Sequence, residues 1–232
     1  MRQIFVDSRD RVSGTTSDFT IQLPSTLVIP SGLHKLRVDN LRLPVCVPTI
    51  RAGVNDTLTV LLGAQSYTVT IPQSDYTGAG LAAAIQGLLQ TAAPGTWTVV
   101  YDTGNIAMSI GCTNNFTITG GTYWTQLKSR PYVQTANKYS FTYVSVVGLD
   151  MFYLCSPNFA TLDTVGPRGS SDALMCAIVN QPYGSVLDVS MPWNSYIDIP
   201  AMTTQTLSFQ LRDRDYNILD IVPNCSFVLL IC

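Results

Sequence analysis

The sequence predicts an all-β protein: a single jelly-roll sandwich carrying an inserted small α+β subdomain of two hairpins and one helix. Three observations carry this reading. The 15 acidic residues are all Asp, with no Glu anywhere, and Lys stands only at 35, 128 and 138, so good helix formers are scarce, while Thr occurs 26 times. β-Branched residues, stiff at χ1, suit a pleated, half-buried surface better than a helix. Strand-like runs at both ends of the 232-residue chain alternate apolar and polar residues with a period of two. Between Ala52 and Leu127, by contrast, there is no Lys, Arg, His or Glu, and this shift in composition marks an inserted unit.

The elements follow in order. In "DFTIQLP", Phe19, Ile21 and Leu23 alternate with Thr20 and Gln22, a half-buried strand. "GLHKLRVDNLRLPV" places Leu36 and Val38 on one phase and Leu41 and Leu43 on the other, so a bulge or bend is expected at Asp39-Asn40. "DTLTVLL" and "YTVTI", joined by "GAQS", form a first hairpin. Leu81, Ala84, Ile85, Leu88 and Leu89 then recur at helical spacing, closed by Pro94-Gly95. "TWTVVYD" and "IAMSI" make a second hairpin, and "NFTIT" closes the unit near residue 121.

From Tyr139 seven strand-like runs follow: "YSFTYVSVV", "MFYLCS", "ALMCAIVN", "VLDVSM", "YIDIPA", "TLSFQLRD" and "SFVLLIC". With the N-terminal strands they supply roughly eight or nine, the number a jelly roll needs. The expected domains are 1–50 with 130–232 for the discontinuous sandwich and 51–129 for the insert. A sheet with one face against a single helix gives a small insert its own core.

The chain has 12% charged residues and a formal charge of −2, which excludes a wholesale nucleic-acid binder. The six cysteines mostly sit in apolar runs without CxxC spacing. They read as reduced, buried thiols of a protein made and kept in a reducing cytosol. No secretory leader is expected, and no apolar run approaches the roughly 18 residues of a membrane span.

Catalytic constellations are missing. The only histidine is His34, so neither a Ser-His-Asp relay nor a multi-His metal site can be assembled. Asp213, Asp215 and Asn217 in "DRDYN" start like a calcium loop, yet the sixth position is Ile218 and the twelfth Asn224; a tight turn is the better reading. "GPRGSS" at 166–171 lacks the Lys and the helix of a phosphate-binding loop and reads as a loop tip. No enzyme, cofactor or metal is expected. Tyr123, Trp124 and Tyr132 are candidate surface aromatics for a glycan or another partner, and Arg2, Arg9 and Arg11 lie in a Gly/Ser/Thr-rich segment expected to act as an N-terminal arm.

Four passages in this order resemble the penton, or vertex, capsid proteins of virophages, Polinton-like viruses and related large DNA viruses. They are "VDSRDR" with "SDFTIQLP", "LRVDNLRLPVCVPTI", "YTVTIPQSDYTGAGLAAAI", and "LSFQLRDRDYNIL" with "FVLLI". The resemblance implies a capsid-embedded jelly roll, five copies around an icosahedral vertex, an outward-projecting insert, a major capsid protein as neighbour, and no catalytic residues. A minor capsid position, or a spike base binding host-surface glycans or another receptor through the insert, fits the same pattern.

Overall fold

The structure is a computed structural model of the chain and describes residues 1–128, 130–144, 146–160, 164–219 and 223–232. The chain forms two compact units, residues 1–47 with 149–232 and residues 48–148.

The first unit opens with β1 (Arg2–Asp7), β2 (Arg11–Gly14), β3 (Asp18–Ile29) and β4 (His34–Pro44). The second contains β5 (Thr57–Leu62), β6 (Gln65–Thr70), α1 (Gly78–Ala92), β7 (Trp97–Asp102), β8 (Ala107–Cys112), β9 (Thr117–Gly120), α2 (Thr122–Lys128), β10 (Tyr132–Thr135) and β11 (Lys138–Phe141). The first unit then resumes with β12 (Met151–Cys155), β13 (Ala173–Ile178), β14 (Val186–Val189), β15 (Ile197–Ile199), β16 (Met202–Asp213) and β17 (Ser226–Ile231).

In the first unit one antiparallel sheet runs β1-β17-β4-β14, with β15 also on β4, and the other runs β13-β12-β16-β3-β2. Counting β14 and β15 as one interrupted strand and β2 as an edge addition leaves four strands in each sheet, with the crossing order of a jelly roll. The long β3 and β4 supply its inner faces. On β3, Phe19, Ile21, Leu23, Leu27 and Ile29 point inward. Its register against β16 breaks where Gln22 pairs with Thr206 and Leu27 with Thr204, a bulge that takes in Pro24, which has no N–H to give a ladder. On β4 the inward residues change phase after Val38 to Leu41 and Leu43. The expected bulge is there: Asn40 takes a φ of 49°, which Asn tolerates better than most residues, and its N–H donates to Ser190 Oγ at 2.9 Å. Phe209 on β16 sits at the centre of the core, between Phe19 and Phe227.

The second unit holds sheets β10-β11-β8-β7 and β6-β5-β9 around its own core. Leu81, Ile85 and Leu89 form the buried stripe of α1, and Thr77 Oγ1 caps the helix by accepting from Gly80 N–H at 3.1 Å. Three sequence expectations are corrected. The strand expected to resume the sandwich at Tyr139 is β11, which pairs with β8 inside this unit, so the return boundary lies at 148/149 instead of 129/130; Ser145, in the same run, lies outside the described residues. The unit holds two helices, not one, and β10 with β11 adds a third hairpin. Thr, Tyr and Trp in α2 favour strands by propensity, but tertiary bonds hold its first turn: Thr57 N–H donates to Thr122 Oγ1 at 3.0 Å, and Thr122 Oγ1 donates to the buried Asp56 carboxylate at 3.2 Å.

One strand edge is sealed by side chains. β7 ends its sheet, and α1 lies along it. Val99 N–H donates to Gln86 Oε1 at 2.9 Å and Trp97 N–H to Gln90 Oε1 at 3.0 Å, while Gln90 Nε2 donates to Gly95 O at 2.9 Å. Replacing Gln90 by Ala removes both of its bonds and is expected to cost about 1–2 kcal/mol, read as a lower urea midpoint at unchanged m-value. An unchanged midpoint at unchanged m-value would mean that the glutamine is not holding the edge.

None of the six cysteines is in a disulfide. Cys112, Cys155 and Cys225 are buried as expected, and burial pushes the Cys155 and Cys225 thiols up to about 11 and about 12. Cys176 and Cys232 are exposed, against expectation. Cys176 stands on the outer strand β13, at a position exposed between buried Met175 and Ala177, and Cys232 lies just past the end of β17, where an apolar run does not guarantee cover.

Candidate assembly surfaces

The residues expected in a free N-terminal arm belong to the sandwich. Arg2 begins β1 and pairs with Ile231. Arg9 forms an exposed ion pair with Asp7 at 2.6 Å, and its guanidinium holds the Asp7 carboxyl below its usual value. Arg11 begins β2 and donates from Nη1 to Ser8 O at 2.9 Å. The Gly/Ser/Thr composition that suggested an arm instead makes a tight connection. Gly14 takes a φ of 89°, where a Cβ would lie 2.1 Å from Asp18 O, so only glycine closes the turn from β2 into β3.

β1 is an edge strand, bonded on one side only to β17. β2 covers β3 only from Phe19 to Ile21, so beyond the bulge β3 too lacks a neighbour on that side. Between these two open edges lies a groove of about 420 Å³, with Ile4, Phe5, Ile21, Leu23 and Leu27 supplying apolar lining and Arg2 at its rim. Phe5 is 76% exposed, a large apolar side chain left uncovered beside an apolar floor.

The opposite edges are β13 and the interrupted pair β14 and β15. The connection between β14 and β15 follows β4: Met191 N–H donates to Val38 O at 3.1 Å. Arg37, whose side chain is only 16% exposed, donates from Nη1 to Trp193 O at 3.1 Å, pairs with Asp39 at 3.2 Å and lies over the Tyr196 ring at 5.7 Å. The backbone of this connection is thus held from below, while the Trp193 side chain is 81% exposed.

The remaining predicted residues separate clearly. Asp213 makes a turn: Tyr216 N–H donates to Asp213 O at 2.9 Å, Asn217 N–H to its carboxylate at 2.9 Å, and Asp213 N–H to Asn217 O at 2.8 Å. The Asp213 carboxylate and backbone are thus satisfied inside a tight turn that also takes in Asp215 and Asn217.

Tyr123 is buried, with its hydroxyl 3.9 Å from Met108 Sδ, and burial pushes its phenol pKa up. It is a core residue of the second unit, which corrects its assignment to the surface. Trp124 is half-buried against Tyr132, Tyr139 and Phe141, with ring centroids 5.9–6.0 Å apart. Tyr132, on edge strand β10, keeps 43% exposure, and Tyr143 is more exposed still. Trp193 and Phe5 were not among the sequence candidates. The signal for Trp193 is a lone Trp between Pro192 and Asn194, in a turn-forming context.

Among the described residues, no helix is long and apolar enough to cross a membrane. No protein-family model and no curated protein matches the sequence. A cryo-EM structure of the Sputnik virophage aligns with 99% of this chain and 97% of that chain, at a TM-score of 0.44 and 12% identity. The mavirus penton protein aligns with 100% of this chain and 99% of that chain, at a TM-score of 0.50 and 12% identity. Over its whole length, the chain has the fold of the mavirus penton protein.

Proposed function

We propose that this chain is a non-enzymatic structural protein of a virion shell, standing at the five-fold vertex as a pentamer. Its jelly roll would be seated among copies of a major capsid protein and residues 48–148 presented to the outside. The observation that carries the reading is the eight-strand jelly-roll order with a helix-bearing unit between β4 and β12, a fold shared at full length with the mavirus penton protein. The surface chemistry supports it. With 12% charged residues, broad side faces can be buried against neighbours while few ions lose their water. Synthesis in the host cytoplasm agrees with six cysteines and no disulfide.

The test is the mass of the purified protein across protein and salt concentrations. A closed species near 126.5 kDa, five times the 25.3 kDa chain, is expected. A monomer throughout, together with absence from purified virions, would overturn the assignment. Exposed Tyr132 and Tyr143 favour one second reading, a spike base or attachment module that binds host-surface glycans through the inserted unit. Glycan binding that is lost in Tyr132→Ala while the oligomer stays intact would support it, and a screen without hits would remove it.

A further inference from the structure

We propose that residues 164–172 are a strap that opens on its own while the sandwich stays folded, and that the Tyr216–Asp172 hydrogen bond is the latch that keeps it closed over Cys155. The segment runs into β13 and contains the "GPRGSS" run at 166–171. It has no apolar anchor: none of residues 164–172 is buried, and Val165 is 82% exposed. Part of its bonding is internal, with Gly166 N–H donating to Ser170 O at 2.7 Å and Ser170 N–H to Pro167 O at 3.3 Å. Those bonds survive when the segment lifts as a body. Segments with few buried apolar contacts lie at the low end of local opening free energies.

What holds the strap down is polar and converges on Asp172. Asp172 O accepts from Ser156 N–H at 2.8 Å, and Asp172 Oδ1 accepts from the Tyr216 hydroxyl at 2.6 Å. A bond to a carboxylate is roughly twice as strong as a neutral one. The phenol is itself held in place. Tyr216 stands in the turn after β16 with a φ of 65°, the Arg212 guanidinium lies over its ring at 4.6 Å, and Tyr153 packs against it at 5.7 Å. The strap is fitted to that phenol: a Cβ on Gly166 would lie 2.5 Å from Ser170 Oγ and 3.2 Å from the Tyr216 hydroxyl.

Beneath this grip Cys155 is fully buried, and its thiol donates to the Tyr216 hydroxyl oxygen at 3.3 Å. Cys155, Ala173 and Tyr216 form a small cluster of their own, separate from the core between the two sheets. Uncovering that cluster therefore leaves the main core closed.

Labelling with iodoacetamide, read thiol by thiol from peptide masses, tests the strap on the full chain. Cys225 belongs to the sandwich core and gauges its opening, and Cys155 is expected to react faster than Cys225 in wild type. Tyr216→Phe, which keeps the ring, and Asp172→Ala are each expected to raise the Cys155 rate about tenfold or more, with the Cys225 rate and the melting temperature unchanged. Trypsin cleavage after Arg168 should accelerate with it. The double variant should add little, because both changes remove the same bond. Equal rates for Cys155 and Cys225 in wild type, or equal acceleration of both thiols in both variants, would show that Cys155 opens only with the core and would overturn the strap. Selective acceleration of Cys155 in neither variant would overturn the latch.

Discussion

Replacing Phe209 by Ala is expected to destabilise the jelly roll by about 3–5 kcal/mol. Phe209 is fully buried on β16, the strand that lies between β3 and β12. Its ring meets Phe19 at 5.7 Å and Phe227 edge-on at 5.0 Å, so it joins the inner faces of both sheets. Truncation removes the transfer energy of the ring and leaves a cavity that two rigid sheets cannot collapse, and it also forfeits the aromatic pairs. Amide hydrogen exchange read by segment is the right measurement, because the two units have separate cores. Loss of protection in residues 1–47 and 149–232, with residues 48–148 unchanged, is the expected pattern. Equal loss in both would show that the chain unfolds as one cooperative body.

The mirror experiment is Trp97→Ala, also expected to cost about 3–5 kcal/mol, this time in residues 48–148. Trp97 begins β7 and is buried beneath α1, with Phe116 edge-on at 4.9 Å and the indole N–H donating to Ala93 O at 3.4 Å. The substitution empties the space that α1 closes and leaves the Ala93 carbonyl without its indole partner. Helix signal in the far-ultraviolet should fall at a lower temperature than in wild type, since α1 is the longest helix among the described residues. Retention of the wild-type helix transition would mean that α1 is anchored by β6 and not by β7.

Much of the fold was legible because burial imposes a period. Phe19, Ile21 and Leu23 on β3 and the phase change across Asn40 on β4 follow directly from which side chains must leave water. The helix α1 announced itself through Leu81, Ile85 and Leu89. Pairing partners were not legible. "YSFTYVSVV" has the same alternation whether it bonds to β8 or to a sandwich strand, so the unit boundary was set too early. The open groove and the exposed Trp193 were the least legible part. The backbone at Trp193 is held by Arg37, 156 residues away in sequence, and the groove lies where a bulge in β3 and a short β2 coincide. Neither is a local pattern.

The glutamine pair on α1 has a consequence beyond stability. A bare strand border is a template on which another chain can add, and repeated addition ends in fibres. Gln86 and Gln90 occupy two outward N–H groups of β7 with neutral side-chain oxygens, which spoils that border as a template for another chain. Among the described residues no such plugs bond to β1, and β3 beyond the bulge has no neighbouring strand. The chain thus carries one strand border whose hydrogen bonds are answered in advance and another whose are not.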